Sequence, residues 1–312
     1  MMRRQLAAMV CGLAMLGGFG DSVKAADTPE RLTVLVDADT ANEIDDLYAI
    51  VRALLEPRFH VVGLSSAQWN NRLSGPDTAL RSQAINEDLV RLLGRRDIPT
   101  PLGAEMILGK PWGGSEPSDS AAAQFIIRSA RAMPAGEKLR VVSIGATTNL
   151  ASAIVLAPDI VPKVACYILA AHYHADTKVW NKDEYNVRND LNSFNYLVGS
   201  EGLELHVMPV NVLFQFTFDQ KATMEGLVGK GAVWDYLATR WLTMWPGRDT
   251  WIMWDVALVE ALARPELATE AEAMPPPENA QRPIHVYTRV DLDGMRSDWW
   301  DVARRVQGAA RP

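Results

Sequence analysis

Cysteine is nearly absent, with two residues in 312, Cys11 and Cys166. Cys11 falls in an apolar N-terminal run that reads as an export signal, so a mature chain keeps one thiol and no intrachain disulfide. Stability must then come from a packed core. Cys166 lies in the apolar run VACYILA, which predicts a buried strand thiol and not a nucleophile. Basic residues are in deficit, with 31 Lys and Arg against 38 Asp and Glu, for a net charge of −7. That balance argues against nucleic acid or an anionic membrane surface as the main partner. Histidine is scarce, at five residues. His172 and His174 form a close pair, but no third soft ligand lies near them, so no transition metal is predicted. Internal repeats and low-complexity tracts are missing as well.

Long apolar runs are also lacking. Leu6–Phe19 is short for a bilayer span. Arg3 and Arg4 precede it, and Val23-Lys24-Ala25 follows with small residues at signal-peptidase spacing. Residues 1–25 therefore read as a signal peptide and 26–312 as one secreted or periplasmic domain, with no membrane association after cleavage. An uncleaved anchor is the alternative.

What is present is a regular alternation. Apolar runs at Leu32–Asp37, His60–Ser65, Leu139–Ile144, Val164–Leu169 and Glu204–Pro209 predict strands. Helical stretches at Leu47–Leu55, Asp77–Leu93, Ser120–Ala132 and Asn149–Leu156 fall between them. This order predicts an α/β domain with a mostly parallel central sheet flanked by helices, Rossmann-like in layout. Further on, Val233–Trp245 and Trp254–Leu262 look helical, Ala273–Pro283 reads as a loop, and Ile284–Val290 as a closing strand. Asp291 and Asp293 read as a strand-end turn. In such folds ligands bind beyond the carboxyl ends of the strands.

Acids concentrate at that rim. Asp37, Asp39, Asn42, Glu43, Asp45 and Asp46 follow the first strand directly. Like charges so close repel, and a hard cation such as Ca²⁺ or Mg²⁺ relieves them. Asp45 and Asp46 also open a helix, where its dipole favours acids, so capping is the bland reading for those two. Asp37-Ala38-Asp39-Thr40 after a strand has a second enzymatic reading, a haloacid dehalogenase-type phosphatase with Asp37 as nucleophile.

The later segments favour another family. Gly63-Leu64-Ser65-Ser66-Ala67-Gln68-Trp69-Asn70, Gly145-Ala146-Thr147-Thr148-Asn149, Glu184-Tyr185-Asn186 with Asp190, and Trp254-Asp255 follow the acidic run in chain order. Together they resemble the nucleoside hydrolase family, whose signature is Asp-x-Asp followed by Asp-Asp at a helix start. The phosphatase's late acidic segment is not found. The resemblance implies a calcium-dependent hydrolase that cleaves N-ribosides, purine nucleosides first. It implies Ca²⁺ ligation by Asp39, Asp46, Asp255 and the Thr148 carbonyl, with Asp39 also acting as general base. Asp45, Asn70, Glu184 and Asn186 would bind ribose, and Asp37 would support the loop from behind. A silent riboside- or sugar-binding member of the fold is the alternative from another class. A homo-oligomer is left open.

Two departures from the family pattern stand out. The loop between Asp39 and Asp45-Asp46 is two residues longer, which predicts a local bulge and offers Asn42 or Glu43 as a further ligand. Trp254 also stands where base-protonating members carry His. Purine-preferring members carry Trp there and sandwich the base, which makes Trp112 or Trp69 the candidate opposite wall. His172 or His174 is the alternative source of a proton for the leaving base.

Overall fold

The computed structural model describes residues 31–309, so the predicted signal peptide lies outside the described residues. The chain runs β1 (Leu32–Ala38), α1 (Asp45–Leu55), β2 (Phe59–Ser66), α2 (Thr78–Leu92), α3 (Ala121–Arg131), β3 (Leu139–Ser143), α4 (Thr148–Leu156) and β4 (Val164–Leu169). It continues through β5 (His172–His174), β6 (Val179–Asn181), α5 (Tyr185–Asn189), α6 (Leu191–Gly199), β7 (Glu204–Met208), β8 (Thr217–Asp219), α7 (Gln220–Leu227) and α8 (Ala232–Met244). The last elements are β9 (Thr250–Ile252), α9 (Trp254–Ala263), β10 (Ala268–Ala273), β11 (Ile284–Val290) and α10 (Leu292–Ala309).

Seven strands form the central sheet in the order β10-β11-β7-β4-β3-β1-β2. Every neighbouring pair is parallel except β10 with β11. The sheet is covered on both faces, which is why its strands read as near-continuous apolar runs. Strand alternation divides the core. Val34 and Val36 of β1 join α1, α9 and α10 on one side, while Leu35 joins α3, α4 and α6 on the other. After β1 the chain pairs β2 on one side and later returns β3 to the other. That reversal opens a crevice above the ends of β1 and β3, the place where open α/β sheets bind ligands.

The predicted strands are all present. The sequence reading missed β10, because Thr269, Glu270, Ala271 and Glu272 are exposed on an edge and carry no apolar face. It also missed the two-stranded pairs β5–β6 and β8–β9, which are three residues per strand. Asp291 does not end in a simple turn. Its Oδ1 accepts from the Gly294 amide at 2.9 Å and so caps α10.

α1 is the central helix, buried from Asp45 to Leu54. It includes Arg52, 1% exposed, which must be paired to be there. Arg52 donates to Glu260 of α9 through Nε (2.7 Å) and Nη2 (3.2 Å), to Glu56 at 2.7 Å and to Asp298 of α10 at 2.7 Å. The fork fixes how α1, α9 and α10 sit on one another. Arg52→Met should strand Glu260 as a buried charge and cost about 3–5 kcal/mol in denaturant unfolding. Arg52→Met with Glu260→Leu should recover most of that loss. A single variant that loses less than about 1 kcal/mol would contradict this reading.

Candidate active site

A cavity of about 350 Å³ opens at the switch point. Asp39 reaches it from the end of β1, Asp45 and Asp46 from the first turn of α1, and Asp255 from the first turn of α9. Glu184, Tyr185 and Asn186 enter from the start of α5. Phe214, Trp254 and His172 form the aromatic side. Among the described residues that line it, Arg188 is the one arginine or lysine, and it is paired with Asp183 at 2.6 Å.

The acids form a tight, dry group. Carboxylate oxygens of Asp45, Asp46 and Asp255 lie within 4.8 Å of one another, and all three residues are buried. Asp39 and Asp46 are neighbouring buried acids, and the charge of each disfavours ionisation of the other. Asp39 Oδ2 and Asp46 Oδ1 are buried without any partner. Burial, then mutual repulsion, pushes Asp46 and Asp255 well above the usual carboxylate range. Asp39 is pushed up to about 8 and Asp45 to about 6, burial being the main cause in both. Orphaned oxygens on converging carboxylates fit a divalent cation with hard oxygen ligands, which would satisfy both faults at once.

Asp45 also braces the site. Its Oδ1 accepts from Trp251 Nε1 and its Oδ2 from the Asp255 amide, each at 3.2 Å. It thereby ties the start of α1 to the start of α9. A carboxylate has about four acceptor positions, so two remain for substrate or cation. Gly145, after β3, packs against Asp39: a Cβ there would lie 3.0 Å from Asp39 Cβ and Cγ. A side chain at 145 would displace Asp39, which explains the glycine.

The longer loop takes up its extra residues between Asp39 and the start of α1 at Asp45. It forms a turn in which the Asn42 amide donates to the Asp39 carbonyl at 2.8 Å. Thr40 Oγ1 anchors it to Asn86 Oδ1 (2.5 Å) and the Ala41 amide to Ser82 Oγ (3.3 Å), both on α2. Tyr185 Oη donates to Asn42 Oδ1 at 3.0 Å, so the extra residues also touch the α5 wall. Glu43 lines the cavity, and burial with nearby acids pushes it to about 8.

Glu184 caps α5, accepting from the amides of Asn186 and Val187 at 3.0 Å each and of Ala171 at 3.3 Å. Ala171 takes φ +61°, a left-handed conformation held at the site's edge. Asn186 Nδ2 donates to the carbonyls of Leu169 (3.1 Å) and Ile144 (3.4 Å). Its Oδ1 is thereby left as the free end of the amide, an acceptor suited to a sugar hydroxyl.

Several expected residues are not brought to the cavity. Asn70 is exposed and bonds Asn189 and Ser74 at a neighbouring depression, because the chain after β2 turns away over α5. Trp112 is 83% exposed in the tight Lys110–Gly113 turn. Trp69 is buried beneath the Arg81 guanidinium. The wall beside Trp254 is instead Phe214, edge-on at 5.6 Å. No periodic or motif signal marked Phe214, which lies in the loop after β7. Thr148 does not line the cavity; its hydroxyl donates to Asp190 at 2.6 Å, and Ile144 is the lining residue of that segment. His172 lines the cavity, with Nε2 3.3 Å from the Asp183 carbonyl, whereas His174 is exposed and does not. Asp37 lies behind the cavity, with Oδ1 accepting from Ser65 Oγ (2.6 Å) and Asn149 Nδ2 (2.9 Å). A phosphatase nucleophile would have to face the cavity, and Asp37 does not.

Residues 34–306 match the family model described as inosine-uridine preferring nucleoside hydrolase. The chain belongs to the inosine-uridine preferring nucleoside hydrolase family. That family cleaves the N-glycosidic bond of nucleosides. A curated relative, a probable uridine nucleosidase 2 of Arabidopsis thaliana, is 27% identical over 225 residues, 64% of this chain and 66% of its own length. Among solved structures, a plant nucleoside hydrolase superposes with TM-score 0.69 at 21% identity, covering 87% of this chain and 98% of that one. A purine-preferring ribonucleoside hydrolase from Gardnerella vaginalis gives 0.64 at 19% identity, covering 89% and 100%. At such identities the structures share the fold.

The raised carboxylates set a pH dependence. A group whose pKa is higher in the fold stabilises the fold below its ordinary value, and that contribution is lost as pH rises through the folded pKa. In chelator, the melting temperature should therefore fall as pH rises through about 6 and then about 8, the values of Asp45 and Asp39. Asp46→Asn should flatten this slope. A chelated wild-type protein whose melting temperature is level or rising across that window would refute the repulsion argument.

Proposed function

We propose that the protein is a calcium-dependent nucleoside N-ribohydrolase with purine nucleosides as preferred substrates. The observation that carries this reading is the buried carboxylate group with two orphan oxygens at the floor of a riboside-sized cavity. Asp39, Asp46 and Asp255 would hold the cation, with Asp45 or Glu43 as a further oxygen donor in place of the Thr148 carbonyl. When bound, the cation supplies positive charge that makes a neighbouring water easier to deprotonate.

The chain's own residues do the rest. Asp39 takes the proton from the attacking water, which requires it ionised; the cation's charge would bring its raised pKa down. Asn186 and Glu184 accept from ribose hydroxyls and hold the sugar with its anomeric carbon over the acids. The buried negative charge around the sugar favours the oxocarbenium character that develops as the bond to the base breaks. Trp254 and Phe214 receive the base, and the broad indole face of Trp254, with Phe214 set edge-on beside it, suits the larger purine surface. Uridine is the second reading, favoured by the description of the Arabidopsis relative.

Export is part of the proposal, supported by the basic, apolar and small-residue segments of residues 1–25. A mature N-terminus at Ala26, read by mass spectrometry of the secreted or periplasmic fraction, would agree with it. Retention of the full chain in the cytoplasm would not.

Ribose release from inosine, adenosine, guanosine and uridine, with and without chelator, tests the main reading. Activity should vanish on chelation and return with calcium. Asp39→Asn should lower kcat by about 10²–10⁴-fold. Trp254→Ala should lower kcat/KM on inosine by about 5- to 150-fold, the range of one base–aromatic contact. It should matter less for p-nitrophenyl riboside, whose leaving group needs little help. Undiminished activity in chelator would remove the calcium assignment. Riboside affinity without turnover would favour the binding-protein alternative.

A further inference from the structure

A second group of metal-ligating side chains stands outside the acidic cavity, toward the β10 edge of the sheet. Parallel pairing sets Tyr167 of β4 opposite His206 of β7, and His206 opposite His285 of β11. The rings stack along this row, Tyr167 on His206 at 4.3 Å and His206 on His285 at 4.6 Å. Glu270 of the antiparallel edge strand β10 reaches over, with Oε1 2.7 Å from His206 Nδ1. One donor atom from each of His206, Glu270 and His285 lies within 4.8 Å of the other two. None of the three lines the nucleoside cavity.

We propose that His206, His285 and Glu270 bind a transition-metal ion, zinc first, at a site separate from the nucleoside cavity. Two imidazoles and one carboxylate are the donor set that suits zinc and not calcium. An independent feature supports the assignment. His206 Nε2 lies 3.2 Å from Glu204 Oε1, and Glu204 Oε2 is in turn paired with Lys138 at 2.7 Å. A ligating histidine commonly donates its other ring N–H to a carboxylate held in this way. The Nδ1 position facing Glu270 is then where a proton and a metal ion would replace one another.

His285 makes no side-chain hydrogen bond to the described residues beyond its stacking on His206. Its ring can turn toward the shared position without breaking one. Glu270 is exposed and His285 half-buried, so water has access to complete a four-coordinate shell. The ion would bind β10, the edge strand with the fewest buried side chains, to β7 across β11. The bonds would reinforce an edge that the hydrophobic core touches only at its two ends, Ala268 and Ala273.

Zinc binding to the calcium-saturated mature chain tests this, by equilibrium dialysis and by the visible absorption of cobalt as a substitute. Wild type should take up one zinc per chain that His285→Gln and Glu270→Gln both lose. Glu204→Gln should weaken zinc by about 10–100-fold, as loss of a carboxylate behind a ligating histidine does. Zinc should raise the melting temperature of wild type but not of the two ligand variants. All three variants should keep their circular dichroism and release ribose as wild type does, because the residues lie outside the cavity. No zinc uptake by wild type would overturn the proposal. Equal uptake by wild type and both ligand variants would overturn it too, placing the ion elsewhere.

Discussion

Mutual repulsion among buried carboxylates is the constraint on which the rest of this molecule depends. Asp39, Asp45, Asp46 and Asp255 come from one strand end and two helix starts, and all are almost fully enclosed. Such an arrangement is unfavourable in a chain alone, because each charge is both desolvated and next to its like. Two devices hold it. The Asp255 amide and Trp251 donate to Asp45, which locks the two helix starts together. Further along the same helices, Arg52 grips Glu260 and prevents α1 and α9 from sliding apart. What these devices leave undone, two unpartnered oxygens, is the part a cation would complete.

The topology explains why the acids meet here. β1 is flanked by β2 and β3, and the chain leaves it in one direction and returns on the other side. Loops at the ends of β1 and β3 therefore diverge and leave a crevice. Asp39 stands on one lip, and Gly145 on the other gives it room. The loop of extra residues after Asp39 does not disturb this. It is pinned to α2 by Thr40 and Ala41 and to α5 by the Tyr185–Asn42 bond, so it becomes part of the cavity wall.

Much of this was legible in the chain. The parallel strands are apolar runs, and a strand that is buried on both faces announces itself. Asp39, Asp45 and Asp46 are close in sequence and needed only the first strand's direction to reach the rim. What stayed hidden depends on long-range register or on loop direction. Phe214 faces Trp254 through the path of an irregular segment, which no periodicity encodes. Asn70 and Trp112 sat in plausible motifs, but the segments carrying them turn outward. β10 is polar because it is an edge, so it resembles a loop. His206 and His285 carry no local signal, because they stand 79 positions apart and only parallel pairing sets them side by side.

The proposed cation site rests on acids that burial and repulsion keep from ionising freely, so a bound ion and protons would compete for them. Calorimetry of calcium binding to the metal-free chain near pH 7, repeated in buffers of different ionisation enthalpy, measures the ion and the protons together. The prediction is one calcium per chain, with protons released on binding because burial and mutual repulsion raise the carboxyls of Asp39 and Asp46 above their ordinary range. It includes the loss of both the binding heat and the buffer dependence in Asp46→Asn. Calcium binding with no proton release, or binding unchanged in Asp46→Asn, would contradict it.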